Sequence, residues 1–251
     1  MKCGRKAIMW IALVLCLICA VLLALALHSR AEHSKPASKD PEGAIAAQED
    51  EDRTVDVPVD FAAWQERNPD VYAWIEYPGT NVDYPIVQSA EDDAYYLRRD
   101  IDGKEAVAGS LYTEHTYNIK TFEDPVTVIY GHNMANRTMF GGLQSHIEAA
   151  DLASTEEYFY VYLPGRILTY RVVGGAPGDD AHILYYNDFS DPTGFSNYFG
   201  NLYAQSGGHV NLPGLLRPNP DDRVVILATC MNGEKYLRYL IIGVLTDDTA
   251  D

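Results

Sequence analysis

Eight short runs of β-branched and aromatic residues, separated by glycine, proline, asparagine or aspartate, most constrain the fold of this chain. Such runs are typical of β-strands, because these side chains fit a pleated surface and the separating residues favour turns. The predicted strands are Val71–Tyr77, Asp83–Gln88, Ser110–Tyr112, Val126–Tyr130, Tyr158–Tyr162, Ile167–Val173, Arg223–Thr229 and Leu237–Leu245. One open sheet would expose its edges in a small domain, whereas closure removes them. We therefore expect a mainly β fold, a closed eight-stranded β-barrel.

Helices are expected around this barrel. Asp60 can cap a short amphipathic helix before the first strand, and Asn68-Pro69 ends it. Further peripheral helices are predicted at Glu91–Arg98, Met139–Ala149 and Thr193–Ser206. We find no internal repeat and no second linker, so residues 59–247 are expected to form one domain, with residues 248–251 as a tail.

The N-terminal region contains an apolar stretch, residues 8–27, without a charged residue. It has the ~20 residues that a helix needs to cross a bilayer. Three basic residues precede it, which favours a cytoplasmic N-terminus. We therefore expect residues 1–7 to be cytoplasmic, residues 8–27 to form a single transmembrane anchor helix in the cell membrane, and the rest to be extracellular. A cleaved signal peptide is the alternative, because Ala24-Leu25-Ala26 is a small-x-small sequence.

Residues 28–58 are polar and rich in proline, serine and alanine, which predicts a flexible stalk. Without residues 1–27 the chain has 16 basic and 36 acidic side chains, a formal charge of −20. This charge argues against nucleic acid as a partner, because binding phosphates needs the opposite sign. The acidic clusters Glu49–Asp52 and Asp179-Asp180 do not resemble a loop of spaced calcium ligands, so no metal and no cofactor is predicted.

Cys230 is the only cysteine outside the first twenty residues, and it closes the apolar run Arg223–Thr229. An extracellular cysteine with no partner in its own domain cannot form an intramolecular disulfide. It is either an inert, buried thiol or one that is kept for its thiolate chemistry.

A nucleophilic thiol needs a base or an ion-pair partner, and His132 has the best setting among the histidines. It follows the predicted strand Val126–Tyr130 and a glycine, so its position is fixed while its side chain can face a cleft. The other histidines lie in the stalk, in polar or Gly/Asp-rich segments, or on a predicted helix surface. Taken alone, each histidine is more often structural than catalytic.

Arg238 supplies a third group. Asn232-Gly233 is a strong turn signal, and an antiparallel pairing of the runs on either side would bring Cys230 and Arg238 together. A lone arginine at the end of a strand usually extends its head group to water. Beside a cysteine and a histidine, it becomes a fixed cation suited to an oxyanion or a substrate carbonyl.

These residues resemble the sortases, membrane-anchored cysteine transpeptidases of Gram-positive bacteria. The resemblance is carried by Leu227-Ala228-Thr229-Cys230, His132 and Arg238 in the family's chain order, and it extends over the whole predicted domain. Class B is the most similar, through Asn68-Pro-Asp-Val-Tyr-Ala-Trp-Ile75, Gly79-Thr-Asn-Val-Asp-Tyr-Pro-Ile-Val-Gln88, Tyr95-Tyr-Leu97, Gly109-Ser110 and Ile129-Tyr-Gly-His-Asn-Met134 with Met139-Phe140.

The resemblance implies a class B sortase domain at residues 59–247. Cys230 would attack the carbonyl after a threonine in the C-terminal sorting signal of a secreted protein, His132 would be the general acid and base, and Arg238 would stabilise the oxyanion. The thioacyl-enzyme would pass its acyl group to an amine of a peptidoglycan precursor or a pilin subunit.

The resemblance also implies substrate-binding positions. These are Leu97, Arg98, Thr229 and Met231. Arg98 stands where some class B members have an asparagine, and Met231 stands where a polar or acidic residue is common, so the sorting motif is not predicted.

Two other functions remain open at this point. The chain could be a cysteine protease or amidase with water as the acceptor, or a non-catalytic surface binding module in which Cys230 is buried.

Overall fold

A computed structural model describes residues 55–234 and 236–250, in which eight strands close into a barrel. The strand order around the barrel is β1-β2-β3-β4-β7-β8-β6-β5. The strands are β1 Val71–Tyr77, β2 Val82–Val87, β3 Leu111–Tyr112, β4 Val126–Tyr130, β5 Tyr158–Leu163, β6 Arg166–Asp179, β7 Val224–Cys230 and β8 Leu237–Asp248. The predicted closed, eight-stranded architecture is confirmed.

Most neighbouring strands are antiparallel, but β4 and β7 are parallel, with Val126 opposite Val224 and Tyr130 opposite Ala228. Strands β7 and β8 are antiparallel. Because parallel strands end at the same edge, the segment after β4 emerges beside the end of β7. This is the edge at which Cys230 lies.

Short helices lie between the strands: α1 Phe61–Arg67, α2 Leu143–Ala149, α3 Ile183–Tyr186 and α4 Pro192–Tyr203, with 3₁₀ turns at Tyr95–Arg98 and Gly214–Leu216. The predicted cap of α1 is confirmed, because the Asp60 carboxylate accepts from the backbone N–H of Ala63 at 3.0 Å. The sequence did not predict α3.

Two predicted helices are shorter than expected. In place of Glu91–Arg98, only the 3₁₀ turn Tyr95–Arg98 is helical. The Ser89 hydroxyl accepts from the backbone N–H groups of Glu91 and Asp92, so these residues form a turn instead of a helix. In place of Met139–Ala149, the helix begins at Leu143, because Met139 and Gly142 have φ of 52° and 93°. A left-handed backbone does not continue a right-handed helix.

Strand β6 is longer than predicted. Its glycines and proline after Val173 resemble a turn in the sequence, yet the strand continues to Asp179. The glycines permit close packing instead: a Cβ on Gly175 would lie 2.6 Å from Ile147 Cγ2, and one on Gly178 would lie 2.7 Å from Leu240 Cδ1. The added length brings Gly178 opposite Arg238.

The barrel wall buries side chains on both faces. The inner face of β7 contributes Val225 and Leu227 to a core shared by the strands. Its outer face contributes Val224, Ile226 and Ala228 to a second core, which includes Phe195 and Phe199 of α4. Apolar residues therefore follow one another without interruption along β7, as expected for a strand covered on both faces.

The last strand extends beyond the predicted domain boundary. Strand β8 continues through Asp248. This residue is 7 % exposed, and its carboxylate binds Arg166 and Arg223. Asp248 is therefore part of the barrel.

The predicted anchor at residues 8–27 and most of the stalk lie outside the described residues. No helix within residues 55–234 and 236–250 combines the length and apolarity needed to cross a membrane.

Candidate active site

Cys230 lies at the end of β7, directly opposite Arg238 near the start of β8. The predicted proximity of these two residues is therefore confirmed. Both occupy the outer face of the barrel, because side chains alternate along a strand and Ala228 and Leu240 belong to the outer core. Cys230 is an exposed free thiol. Arg238 is half-buried, donates to the carbonyl of Leu237 at 3.3 Å and forms no salt bridge within the described ranges.

His132 reaches this thiol from the segment that follows β4. The Gly131 N–H donates to the Ala228 carbonyl at 3.1 Å and extends the β4–β7 pairing by one residue. A glycine is needed here, because a Cβ would lie 2.7 Å from a ring carbon of Phe140. His132 is therefore held at the edge of the barrel beside the end of β7.

The ring of His132 is fixed from two sides. Its Nε2 lies 2.8 Å from the carbonyl oxygen of Leu97. Because a carbonyl oxygen only accepts, Nε2 carries a hydrogen, which leaves Nδ1 to exchange a proton with Cys230. His132 and Cys230 line the same cavity, and each shifts the pKa of the other.

His132 and Cys230 shift each other's pKa toward an ion pair. His132 lowers the pKa of the Cys230 thiol, and the positive charge of Arg238 lowers it further, while burial opposes the change. Cys230 raises the pKa of His132 against the effect of burial, and the Leu97 carbonyl adds to the rise. A thiolate beside an imidazolium is a nucleophile paired with a proton donor.

A cavity of about 240 Å³ lies in front of these three side chains. Its wall is formed by the 3₁₀ turn Tyr95–Arg98, by strand ends and by the segments after β3 and between β6 and α3. The remaining lining residues are Leu97, Tyr112, Glu114, Tyr130, Gly131, Asp179, Asp180, Ala181, His182, Ile183, Ala228 and Thr229. Because Cys230 lines the cavity, a group bound there meets the thiol.

A histidine–carboxylate pair connects two walls of the cavity. His182 Nε2 lies 3.0 Å from Glu114 Oε2, and its Nδ1 accepts from the Tyr185 N–H at 3.1 Å. The same histidine therefore caps α3 and anchors it to Glu114. Burial raises the pKa of Glu114, and His182 opposes this rise.

The four predicted substrate-binding residues lie in different places. Leu97 and Thr229 line the cavity. Thr229 is 2 % exposed, and its hydroxyl makes no hydrogen bond in the described part of the chain. Arg98 lines a neighbouring depression that shares Leu97 with the cavity. Met231 is 7 % exposed and does not line the cavity.

Glu114, Tyr130 and His182 line the cavity, although the sequence interpretation assigned them no role. His182 was set aside because it stands in a Gly/Asp-rich segment. Tyr130 lies two residues before His132, at the end of the same buried strand, and this position was the available signal for it. For Glu114 and His182, 68 residues apart, we found no sequence signal.

The comparisons with known proteins concern one family. No protein-family model matches the chain. Sortase B of Listeria monocytogenes is 30% identical over 174 residues, which are 68% of this chain and 67% of that protein. Sortase B of Staphylococcus aureus is 27% identical over 88 residues, 35% of either chain.

Solved structures share the fold. The structure of Clostridium perfringens sortase B matches with a TM-score of 0.63 at 24% identity, over 74% of this chain and 100% of that one. A complex of Staphylococcus aureus sortase B with its substrate matches with a TM-score of 0.62 at 18% identity, over 74% of this chain and 84% of that one. At these identities the two structures support the fold alone.

Proposed function

Because this chain belongs to the class B sortases, a family of cysteine transpeptidases, we propose that Cys230, His132 and Arg238 carry out its acyl transfer. The observation that supports this proposal most directly is that Cys230, His132 and Arg238 line one cavity, with Arg238 opposite Cys230 in the β7–β8 register. Together they supply a nucleophile, a proton carrier and a cation at one mouth of the cavity.

The first half-reaction forms the thioacyl-enzyme. The thiolate of Cys230 attacks the carbonyl carbon after a threonine of a sorting signal, and a C–S bond forms. Arg238 offsets the negative charge on the carbonyl oxygen, a contribution typically worth ~10²–10³ in rate. The C–N bond breaks when the intermediate collapses, and imidazolium His132 gives its proton to the leaving amine.

The second half-reaction reverses these roles. An amine of a peptidoglycan precursor or a pilin subunit attacks the thioester, and neutral His132 takes the proton that the amine loses. The new C–N bond forms as the thiolate of Cys230 leaves. The Leu97 carbonyl keeps a hydrogen on Nε2 throughout, so the same Nδ1 serves in both steps.

The proposal includes a place for the enzyme in the cell. The apolar residues 8–27 would anchor it in the membrane, with the N-terminus in the cytoplasm and the barrel outside. Secreted proteins with a C-terminal sorting signal and lipid-linked wall precursors both meet the enzyme at that surface. Recovery of the chain in the soluble fraction of disrupted cells would contradict the anchor.

The substrate peptide would enter the cavity beside Leu97 and Thr229, with Arg98 at its outer end. Met231 is withdrawn from this set because its side chain is buried. The acidic wall formed by Glu114, Asp179 and Asp180 would face the same peptide.

A peptide-library assay tests this function. The full chain is incubated with peptides that vary around a central threonine, with and without added amines, and the products are identified by mass spectrometry. We expect cleavage after threonine and a product in which the amine replaces the leaving group. Cleavage that yields only the free acid at every amine concentration would identify a protease or amidase instead.

A further inference from the structure

Asn133 directly follows His132, and its side chain joins the two segments of the proposed catalytic pair. Its amide nitrogen donates to the carbonyl oxygen of Cys230 at 2.8 Å and to the side-chain oxygen of Asn232 at 2.9 Å. An asparagine amide nitrogen carries two hydrogens, and both are used here. One side chain thus connects the segment after β4 with the last residue of β7 and with the turn beyond it.

The far side of this turn is also fixed. The N–H of Asn232 donates to Gln144 Oε1 at 3.1 Å, and Gln144, which is 4 % exposed, donates to Glu148 Oε1 at 2.8 Å. His209 Nδ1 lies 2.8 Å from the same oxygen. A chain of hydrogen bonds therefore runs from the surface of α2 to the carbonyl of Cys230.

Backbone contacts fix the rest of the His132 segment, and within residues 55–234 and 236–250 none of them reaches Cys230 itself. The Gly131 N–H binds the Ala228 carbonyl, and the Phe140 N–H binds the His132 carbonyl at 3.0 Å. The first contact ends two residues before the cysteine, and the second closes the segment on itself. The hydrogen bond that connects this segment to the backbone of Cys230 comes from the Asn133 side chain.

We propose that Asn133 is a positioning residue, which holds the backbone of Cys230 against the His132 segment so that thiol and imidazole stay within hydrogen-bond reach. Its effect passes through the two side chains rather than through contact with substrate. A displacement of about 1 Å between reacting groups can cost ~10²-fold in rate. The inference rests on the proposed roles of Cys230 and His132, but the state of the thiol can be measured without any sorting peptide.

The test is the pH dependence of Cys230 alkylation by iodoacetamide, because alkylation follows the thiolate fraction. The full chain is used, and the peptide that contains Cys230 is quantified by mass spectrometry, so the N-terminal cysteines do not interfere. We expect Asn133→Ala to raise the alkylation midpoint by about one pH unit. With a cleavable peptide, kcat should fall ~10–10²-fold while KM stays near the wild-type value.

Asn211→Ala is the matched control. The Asn211 amide nitrogen also donates to two oxygens of another segment, the carbonyls of Ile147 and Ala150 at 2.7 and 2.9 Å. Both asparagines are half-buried, so both substitutions remove similar contacts. Loss of stability alone would affect both variants, whereas only Asn133→Ala should move the alkylation midpoint.

Asn232→Ala keeps the test usable if Asn133→Ala fails to fold. It removes one of the two acceptors, so it should move the midpoint in the same direction by a smaller amount, and it should add little in the Asn133→Ala background. A wild-type midpoint in folded Asn133→Ala, or in Asn232→Ala, would overturn the proposal. A shifted midpoint in an enzyme that joins no peptide to any amine would retain the positioning role and reject the proposed function.

Discussion

Strand β7 is paired with β8 along its whole length, and β8 continues beyond this pairing to Asp248. Arginine side chains near the two ends of β8 have different surroundings. At one end Arg166 and Arg223 bind the buried carboxylate of Asp248, at 2.5 and 3.0 Å from Oδ2. At the other end Arg238 lies opposite Cys230 and forms no salt bridge within the described ranges.

The difference separates a stabilising site from a proposed reactive site at the two ends of strand β8. Asp248 is a buried carboxylate matched by two cations, so its charge is neutralised inside the protein. Within the described residues no carboxylate forms a salt bridge with Arg238, and its charge lowers the pKa of the Cys230 thiol. A bound oxyanion can therefore pair with the Arg238 guanidinium without displacing a described carboxylate.

Arg238→Ala should reduce catalytic activity more than a substitution at the Asp248 end. We expect kcat/KM to fall ~10²–10³-fold, because a fixed donor to the oxyanion is lost. The free energy of unfolding should change by less than ~0.5 kcal/mol, since no paired charge is broken. Steady-state kinetics and chemical denaturation of the same preparation measure both.

Arg67→Ala is the control for loss of an arginine. Arg67 forms an exposed ion pair with Asp102 at 2.7 Å, remote from the cavity, and kcat/KM should stay at the wild-type value. Arg238→Ala with wild-type kcat/KM would show that the open cation has no part in the reaction.

Asp248→Asn should have the opposite result to Arg238→Ala, a loss of stability without a loss of activity. The hydrogen bond from Arg166 lowers the pKa of Asp248 to about 2, with Arg223 contributing in the same direction. The unfolded value is about 3.9, so the difference corresponds to ~2–3 kcal/mol of stability. This stability is fully present above about pH 4 and is lost as the pH falls through about 2.

Urea denaturation at pH 7 and at pH 3 measures this prediction. Asp248→Asn should lower the free energy of unfolding at pH 7, and its difference from wild type should shrink at pH 3. The kcat/KM of the folded variant should be unchanged. Equal differences at both pH values would mean that the carboxylate charge does not stabilise the barrel.

The same comparison shows which parts of the molecule the sequence could predict. Eight runs of strand-forming residues predicted the barrel. The Asn232-Gly233 turn between two apolar runs predicted that Cys230 and Arg238 lie close together. Both inferences use residues close together in the chain, where local preference and register decide the structure.

Contacts between segments that are far apart in the chain were harder to predict from the sequence. The glycines of β6 have the composition of a turn, but Ile147 and Leu240 pack against them, which the local sequence does not record. The Glu114–His182 pair joins residues 68 apart. The resemblance places Met231 at the substrate site, whereas its side chain is buried and does not line the cavity.

Formation of a covalent intermediate on Cys230 is the most direct test of the account. The full chain is mixed with a cleavable sorting peptide, and its intact mass is recorded before and after an amine is added. We expect an acyl adduct on Cys230 that disappears as the amine-linked product forms, and neither adduct nor product with Cys230→Ala. A Cys230→Ala variant that still joins the peptide to the amine would contradict it.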